Sequence, residues 1–153
     1  MKSKLLACCF LTAAFPLLAS AGVITKSSTP YPQYVPSSGV PSTSFSAFHV
    51  YSADFPKGNL IVTKRLLSVS YQTTKFPAAY SDNVQLCYFN PYQASAASCV
   101  PAKAGATGST TAFDNQIFSI GAQIQIRHEL TGKPRSTLQP AGKESVTFNY
   151  GDL

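Results

Sequence analysis

Cys87 and Cys99 bracket an uncharged stretch, Tyr88-Phe89-Asn90-Pro91-Tyr92-Gln93-Ala94-Ser95-Ala96-Ala97-Ser98. Such a pair can be a structural disulfide, a redox couple or half of a metal site. The spacing is not the Cys-x-x-Cys of thioredoxin-like redox motifs. Zinc would need further ligands, and the histidines, His49 and His128, stand at no recognisable metal-binding spacing. The compartment decides what remains, because disulfides persist in exported proteins.

His128 is the second candidate for chemistry. In Ala122-Gln123-Ile124-Gln125-Ile126-Arg127-His128-Glu129-Leu130 it shares the apolar phase with Ile124 and Ile126. A histidine there could act as a general base or a pH sensor, or could sit at the core edge, hydrogen-bonded to backbone. No serine or aspartate is tied to it by a recognised motif, so the second role is expected. His49, in Ala47-Phe48-His49-Val50-Tyr51, reads the same way. The acids are Asp54, Asp82, Asp114, Glu129, Glu144 and Asp152. Most occupy turn-like contexts and Glu129 alternates outward, so nothing marks two of them as a glycosidase pair. The serines lie in no Gly-x-Ser-x-Gly context. No catalytic, cofactor-binding or metal-binding residue is assigned, no cofactor is expected, and the chain is read as a non-enzyme.

The N-terminus sets the compartment. Lys2 and Lys4 precede an almost unbroken apolar run, Leu5 to Leu18, and Ala19-Ser20-Ala21 has the small-x-small form that signal peptidase cuts. Residues 1–21 read as a signal peptide. The run is shorter than the roughly 20 apolar residues that span a bilayer. Leu5-Leu6-Ala7-Cys8 looks like a lipobox but lies too near the start to follow an apolar region. Cys8 and Cys9 leave with the signal, so Cys87 and Cys99 remain as an even pair and a disulfide is expected. An exported protein follows from the same reading.

Of the 153 residues, removal of 21 leaves about 132, enough for one domain with a proper core. Loss of Lys2 and Lys4 lowers the formal charge from +6 to +4. The remaining cations are scattered along the sequence, and no run of them marks a nucleic-acid stripe or a polybasic membrane tag. Neither nucleic acid nor stable membrane insertion is expected.

Residues 22–44 hold Pro30, Pro32, Pro36 and Pro41 among serines, threonines and tyrosines, and read as an extended arm that cannot supply a central strand. From Phe45 onward, residues 45–153 read as a single β-sandwich domain. Period-two alternation recurs in Phe45–Ala53, Asn59–Thr74, Asn83–Phe89, Ala122–Leu130 and Ser145–Tyr150. In the second of these, Leu67, Val69 and Tyr71 are placed on one face. Gly-, Pro- and Asp-rich turn signals separate the runs, and no apolar 3.6-residue period is present. The pattern predicts an all-β, antiparallel sandwich, Ig-like or barrel-like, with one disulfide.

Eight tyrosines and ten phenylalanines suggest sugar stacking, although strands use these residues in their cores as well. Tyr31, Tyr34, Tyr88 and Tyr92 are expected to be exposed. Tyr88, Phe89 and Tyr92, held by the cysteine loop, are the candidate partner-binding residues.

The order of several short segments resembles the FlhE family of small flagellar periplasmic proteins. They are Ser68–Gln72 (SVSYQ), Leu86-Cys87 with Cys99-Val100, Gly108–Phe113 (GSTTAF), Leu138–Ala141 (LQPA) and Val146–Tyr150 (VTFNY). That family has an aromatic strand, an L-C…C-V pair, a G-T-T-x-x-F segment, an L-x-P-A segment and a terminal V-x-V-N-Y. The cysteine loop here is longer, tryptophans are missing and the Pro-rich arm has no counterpart, so a shared N-terminal partner surface is not implied. The resemblance implies a periplasmic accessory of flagellar assembly and export, connected with swarming and with limiting leakage through the export apparatus. It would act by binding a flagellar protein, and the family supplies no catalytic residues. The alternatives are an exported adhesin-like subunit or carbohydrate-binding module, and a secreted hydrolase dependent on His128.

Overall fold

The computed structural model describes residues 21–56 and 63–153. The signal-peptide reading of 1–21 therefore lies outside the described residues except for Ala21, as does the start of the run from Asn59. Two antiparallel sheets face each other. One has the order β1 (Ala21–Ser28), β11 (Glu144–Asp152), β4 (Lys64–Gln72), β7 (Thr107–Thr110), with β8 (Ile117–Phe118) also paired to β4. The other runs β3 (Ser42–His49), β9 (Gln123–Gly132), β5 (Ala79–Phe89), β6 (Ser98–Ala102). A small ladder joins β2 (Gln33–Tyr34) to β10 (Thr137–Leu138). Among the described residues there is no α-helix, and no helix is long and apolar enough to cross a membrane.

The alternation in the sequence explains the core. Val84, Leu86 and Tyr88 of β5 and Ile124 and Ile126 of β9 point from one sheet toward Val146, Phe148 and Tyr150 of β11 and Leu66 and Val69 of β4 on the other. All are buried. Sheets with one apolar face each must meet face to face, because neither face can be left in water. A smaller cluster of Val35, Phe76, Leu130 and Leu138 caps one end. There β2 and β10 fold over the open mouth of the sandwich.

Two features differ from the sequence pattern. Leu67 does not share a face with Val69: it is about one-third exposed, while Leu66 is buried. The ladder between β4 and β11 shifts register between Asn149 and Tyr150, so that Asn149 faces Ser68 and Tyr150 faces Leu66. Leu67 is the unpaired residue of a β-bulge, and the inward phase changes there. The second feature is in the 22–44 stretch. It contributes a full strand, β1, which pairs with β11 from Ala21↔Gly151 to Ser28↔Glu144. This segment ends before Pro30, so every proline of the arm falls outside it and the ladder is unbroken. As an edge strand it leaves one row of backbone groups unpaired.

The segments that carry the resemblance meet in space. Tyr71 of SVSYQ is directly opposite Gly108 of GSTTAF. A side chain at 108 would collide with the Tyr71 ring, since its Cβ would lie 2.6 Å from the phenol oxygen. The glycine makes room for the aromatic ring to lie across an edge strand, a recognised way of protecting such a site. Phe113, which closes the same segment, is buried and stacks on Tyr88 with ring centroids 5.8 Å apart.

Candidate functional site

Three inward-phase positions near the capped end are polar. Asp82 continues the phase of Val84, Leu86 and Tyr88. His128 continues that of Ile124 and Ile126, and Glu144 precedes Val146 and Phe148 in the same phase. Folding brings the three together between the main core and the small cluster. His128 is 0 % exposed. Its Nδ1–H donates to Asp82 Oδ1 and its Nε2–H to Glu144 Oε1, each at 2.7 Å. The expectation of a backbone-bonded histidine is corrected: the partners are two carboxylates from different strands, because the alternating phase aims all three side chains into one gap.

The surrounding groups complete the arrangement. The amide of Thr74 donates to Glu144 Oε1 at 3.2 Å, and that of Phe76 to Asp82 Oδ2 at 3.2 Å. The Phe76 ring meets the imidazole edge-on at 5.2 Å. The other oxygen of Glu144, Oε2, is buried and makes no hydrogen bond to the described protein. With two carboxylate oxygens at hydrogen-bond distance, only the doubly protonated imidazolium donates to both. Burial by itself would lower the His128 pKa, but the hydrogen bonds and charges of Asp82 and Glu144 outweigh it and raise the value to about 9. The imidazolium bridges the two sheets, since Asp82 and His128 belong to one and Glu144 to the other.

This geometry holds charge and offers little to a substrate. A general base needs a free ring nitrogen within reach of a proton to be abstracted. Here both nitrogens already face carboxylates and the ring is shielded from solvent. The sequence carries part of the signal for such a group: His128 interrupts the apolar phase of its strand between Ile126 and Leu130, whereas Asp82 and Glu144 only precede the apolar positions of theirs. What it does not contain is which strands face each other.

The cysteine pair is a disulfide. Cys87 lies opposite Cys99 in the β5–β6 ladder, with Cα atoms 4.1 Å apart. That is near the short spacing of a non-hydrogen-bonded antiparallel pair. The loop it closes is tied by the Ala97 amide to the Tyr88 carbonyl. The aromatic residues of this region do not form one surface. Tyr88, expected at the surface, is 0 % exposed, and its hydroxyl donates to the Ile117 carbonyl at 2.8 Å. Burial pushes its pKa well above the usual tyrosine range. Tyr88 is the last inward position of β5 and belongs to the core. Phe89 is also buried, although it points outward, and the Arg127 guanidinium covers its ring at 5.4 Å. Tyr92 alone of the three is open, at 83 % exposure, in a left-handed conformation (φ 59°) with its ring against Gly121. Tyr31 and Tyr34 are exposed as well. Tyr88→Phe is expected to cost about 1 kcal/mol, the net worth of one buried hydrogen bond. Chemical denaturation measures it, and a loss below experimental error would show that the Ile117 carbonyl has another donor.

No protein-family model matches the chain, and no curated protein sequence does. Its fold is similar to that of the crystal structure of FlhE, with a TM-score of 0.59 at 19 % identity. The match covers 86 % of this chain and 98 % of that one.

Proposed function

We propose that this FlhE-like fold serves as an exported, periplasmic accessory of the bacterial flagellum that acts on assembly or export by binding a protein and catalyses no reaction. The observation that carries the reading is the likeness to FlhE over nearly the whole of that protein, combined with the ordered segments from Ser68 to Tyr150. Those segments include the disulfide, the Tyr71–Gly108 contact and the core of β11. A disulfide is in keeping with an oxidising compartment. The enclosed histidine supports binding over catalysis, because the titratable cluster stabilises the scaffold and offers no open nitrogen. Export as the residue 1–21 signal implies, followed by retention in the periplasm, completes the proposal.

Deleting the gene in a flagellated host tests it. The expected result is altered swarming, motility or export-dependent proton balance, restored by the full-length gene. A deletion strain normal in all three would remove the flagellar role. The carbohydrate-binding alternative rests on the exposed rings of Tyr31, Tyr34 and Tyr92. It requires glycan binding that is lost when Tyr92 is replaced by alanine.

A further inference from the structure

We propose that the capped end of the sandwich is a docking surface for an extended, acidic segment of a protein partner. Cations that are scattered in sequence converge there: Lys75 follows β4, Lys103 follows β6, Lys133 and Arg135 lie between β9 and β10, and Lys143 precedes β11. All five are exposed, and among the described residues none is in an ion pair. Of the acids beside them, Glu144 is fully buried, and Asp82, which lines one of the hollows described below, is held by His128. Elsewhere Lys26 pairs with Asp54 at 2.6 Å and Lys64 with Asp152 at 2.8 Å, while Arg65 and Arg127 bond to the side chains of Asn115 and Gln125. Among the described residues five exposed cations thus share one end, although the sequence alone reads as an ordinary mixed surface.

The shape of this end selects the kind of partner. A groove of about 390 Å³ runs between Thr74, Lys75, Gly142 and Lys143. It continues past Ala104 into a second hollow of about 500 Å³ beside Lys103. Lys75, Lys103 and Lys143 line these hollows, and cations along a groove suit a chain that lies in it, whereas a bilayer surface is met by a plane or a convex face. Four of the five are lysines, which act as point charges and lack the fork with which arginine grips phosphate. Spaced carboxylates on an extended peptide satisfy such a row. Exposed Tyr34 and Tyr80 at the same end add the aromatic contact area that protein interfaces favour. The site is also pre-organised, because Thr74 on its wall is fixed through its amide to Glu144 and through its hydroxyl, which accepts from the Gly142 amide.

The inference rests on the reading that the protein acts by binding another protein, and its test is independent of the flagellum. A labelled 20-residue peptide alternating glutamate with glycine and serine is titrated with the full mature protein, and anisotropy is followed at low and high salt. Binding should weaken as salt rises, and the glutamine version of the peptide should not bind. Lys75→Gln/Lys143→Gln should bind roughly fivefold more weakly, as expected for two exposed ion pairs. Lys26→Gln/Arg65→Gln, with the same net charge, should match the wild type. Equal losses in the two double variants would reduce the effect to net charge and overturn the proposal. So would no binding, or preferential binding to phosphatidylglycerol vesicles. Peptide binding beside a normal deletion strain would keep this surface and discard the flagellar partner. A deletion phenotype with no peptide binding would do the reverse.

Discussion

Replacing His128 by alanine is expected to destabilise the fold by about 3–5 kcal/mol, the usual cost of breaking a buried ion pair by removing one partner. Total stabilities of small domains are ~5–15 kcal/mol, so the variant should be close to unfolding at ambient temperature. The mechanism is charge left behind. Without the imidazolium, Glu144 is buried with only the Thr74 amide and Asp82 with only the Phe76 amide. The double variant His128→Gln/Glu144→Gln should lose less than the sum of its single variants, because two groups in direct contact do not contribute additively. Additive losses would mean that the contact carries no energy.

The same cluster gives stability a pH dependence of defined sign. The His128 pKa is raised in the folded protein, from 6.5 to about 9. The folded state therefore holds this proton more tightly than the unfolded chain. The resulting stabilisation is full below about pH 6.5 and is lost as pH rises through 9. Its size is on the order of 3 kcal/mol, since a tenfold difference in proton affinity between the two states is worth about 1.36 kcal/mol. For a domain of this length Tm should fall by roughly 10 °C between pH 6 and pH 9.5. The slope should be absent in His128→Gln. A wild-type Tm that is flat across this window would show that the histidine is neutral in the fold.

Removing the disulfide ranks second. Cys87 and Cys99 are separated by 12 positions. Closing a loop of that size stabilises by about 3 kcal/mol in chain-entropy terms. The loss should be uneven. β6 is an edge strand of five residues, paired on one side to β5 alone, and Pro101 in it has no amide to contribute. Reduction, or Cys87→Ala/Cys99→Ala, should lower the denaturation midpoint by an amount equivalent to about 2–4 kcal/mol. Amide exchange in β6 should accelerate before that in β5 or β9. An unchanged midpoint in reductant would mean that the ladder alone fixes β6.

Local alternation makes much of the sandwich legible. The inward residues of β5, β9 and β11 are the alternate apolar positions of their runs, and the turns between them are rich in glycine, proline and aspartate. The local period misleads where tertiary structure overrides it. The bulge at Leu67 is set by pairing with β11 and leaves no trace in the β4 sequence. β1 reads weakly because Ala21–Ser28 is half polar and abuts a proline cluster. Tyr88 and Phe89 fall within the alternating run Asn83–Phe89, but their place beside Asn90-Pro91 in the cysteine loop suggests exposed aromatics, whereas β5 carries both into buried positions. The charged cluster is half visible: His128 stands out in an apolar phase, whereas Asp82 and Glu144 read as turn residues. Which strands face one another decides their meeting, and that information is distributed over the whole chain. The same holds for Lys75, Lys103, Lys133, Arg135 and Lys143, which no window of sequence unites.

Cross-linking inside cells addresses the flagellar binding role most directly. The full-length protein, carrying a photo-reactive residue in place of exposed Tyr92 or Lys143, is expressed in flagellated cells and illuminated, and the adducts are identified by mass spectrometry. The account predicts periplasmic adducts to a flagellar protein that disappear in a strain unable to build the export apparatus. Identical adducts in both strains, or none to any flagellar protein from either position, would contradict it.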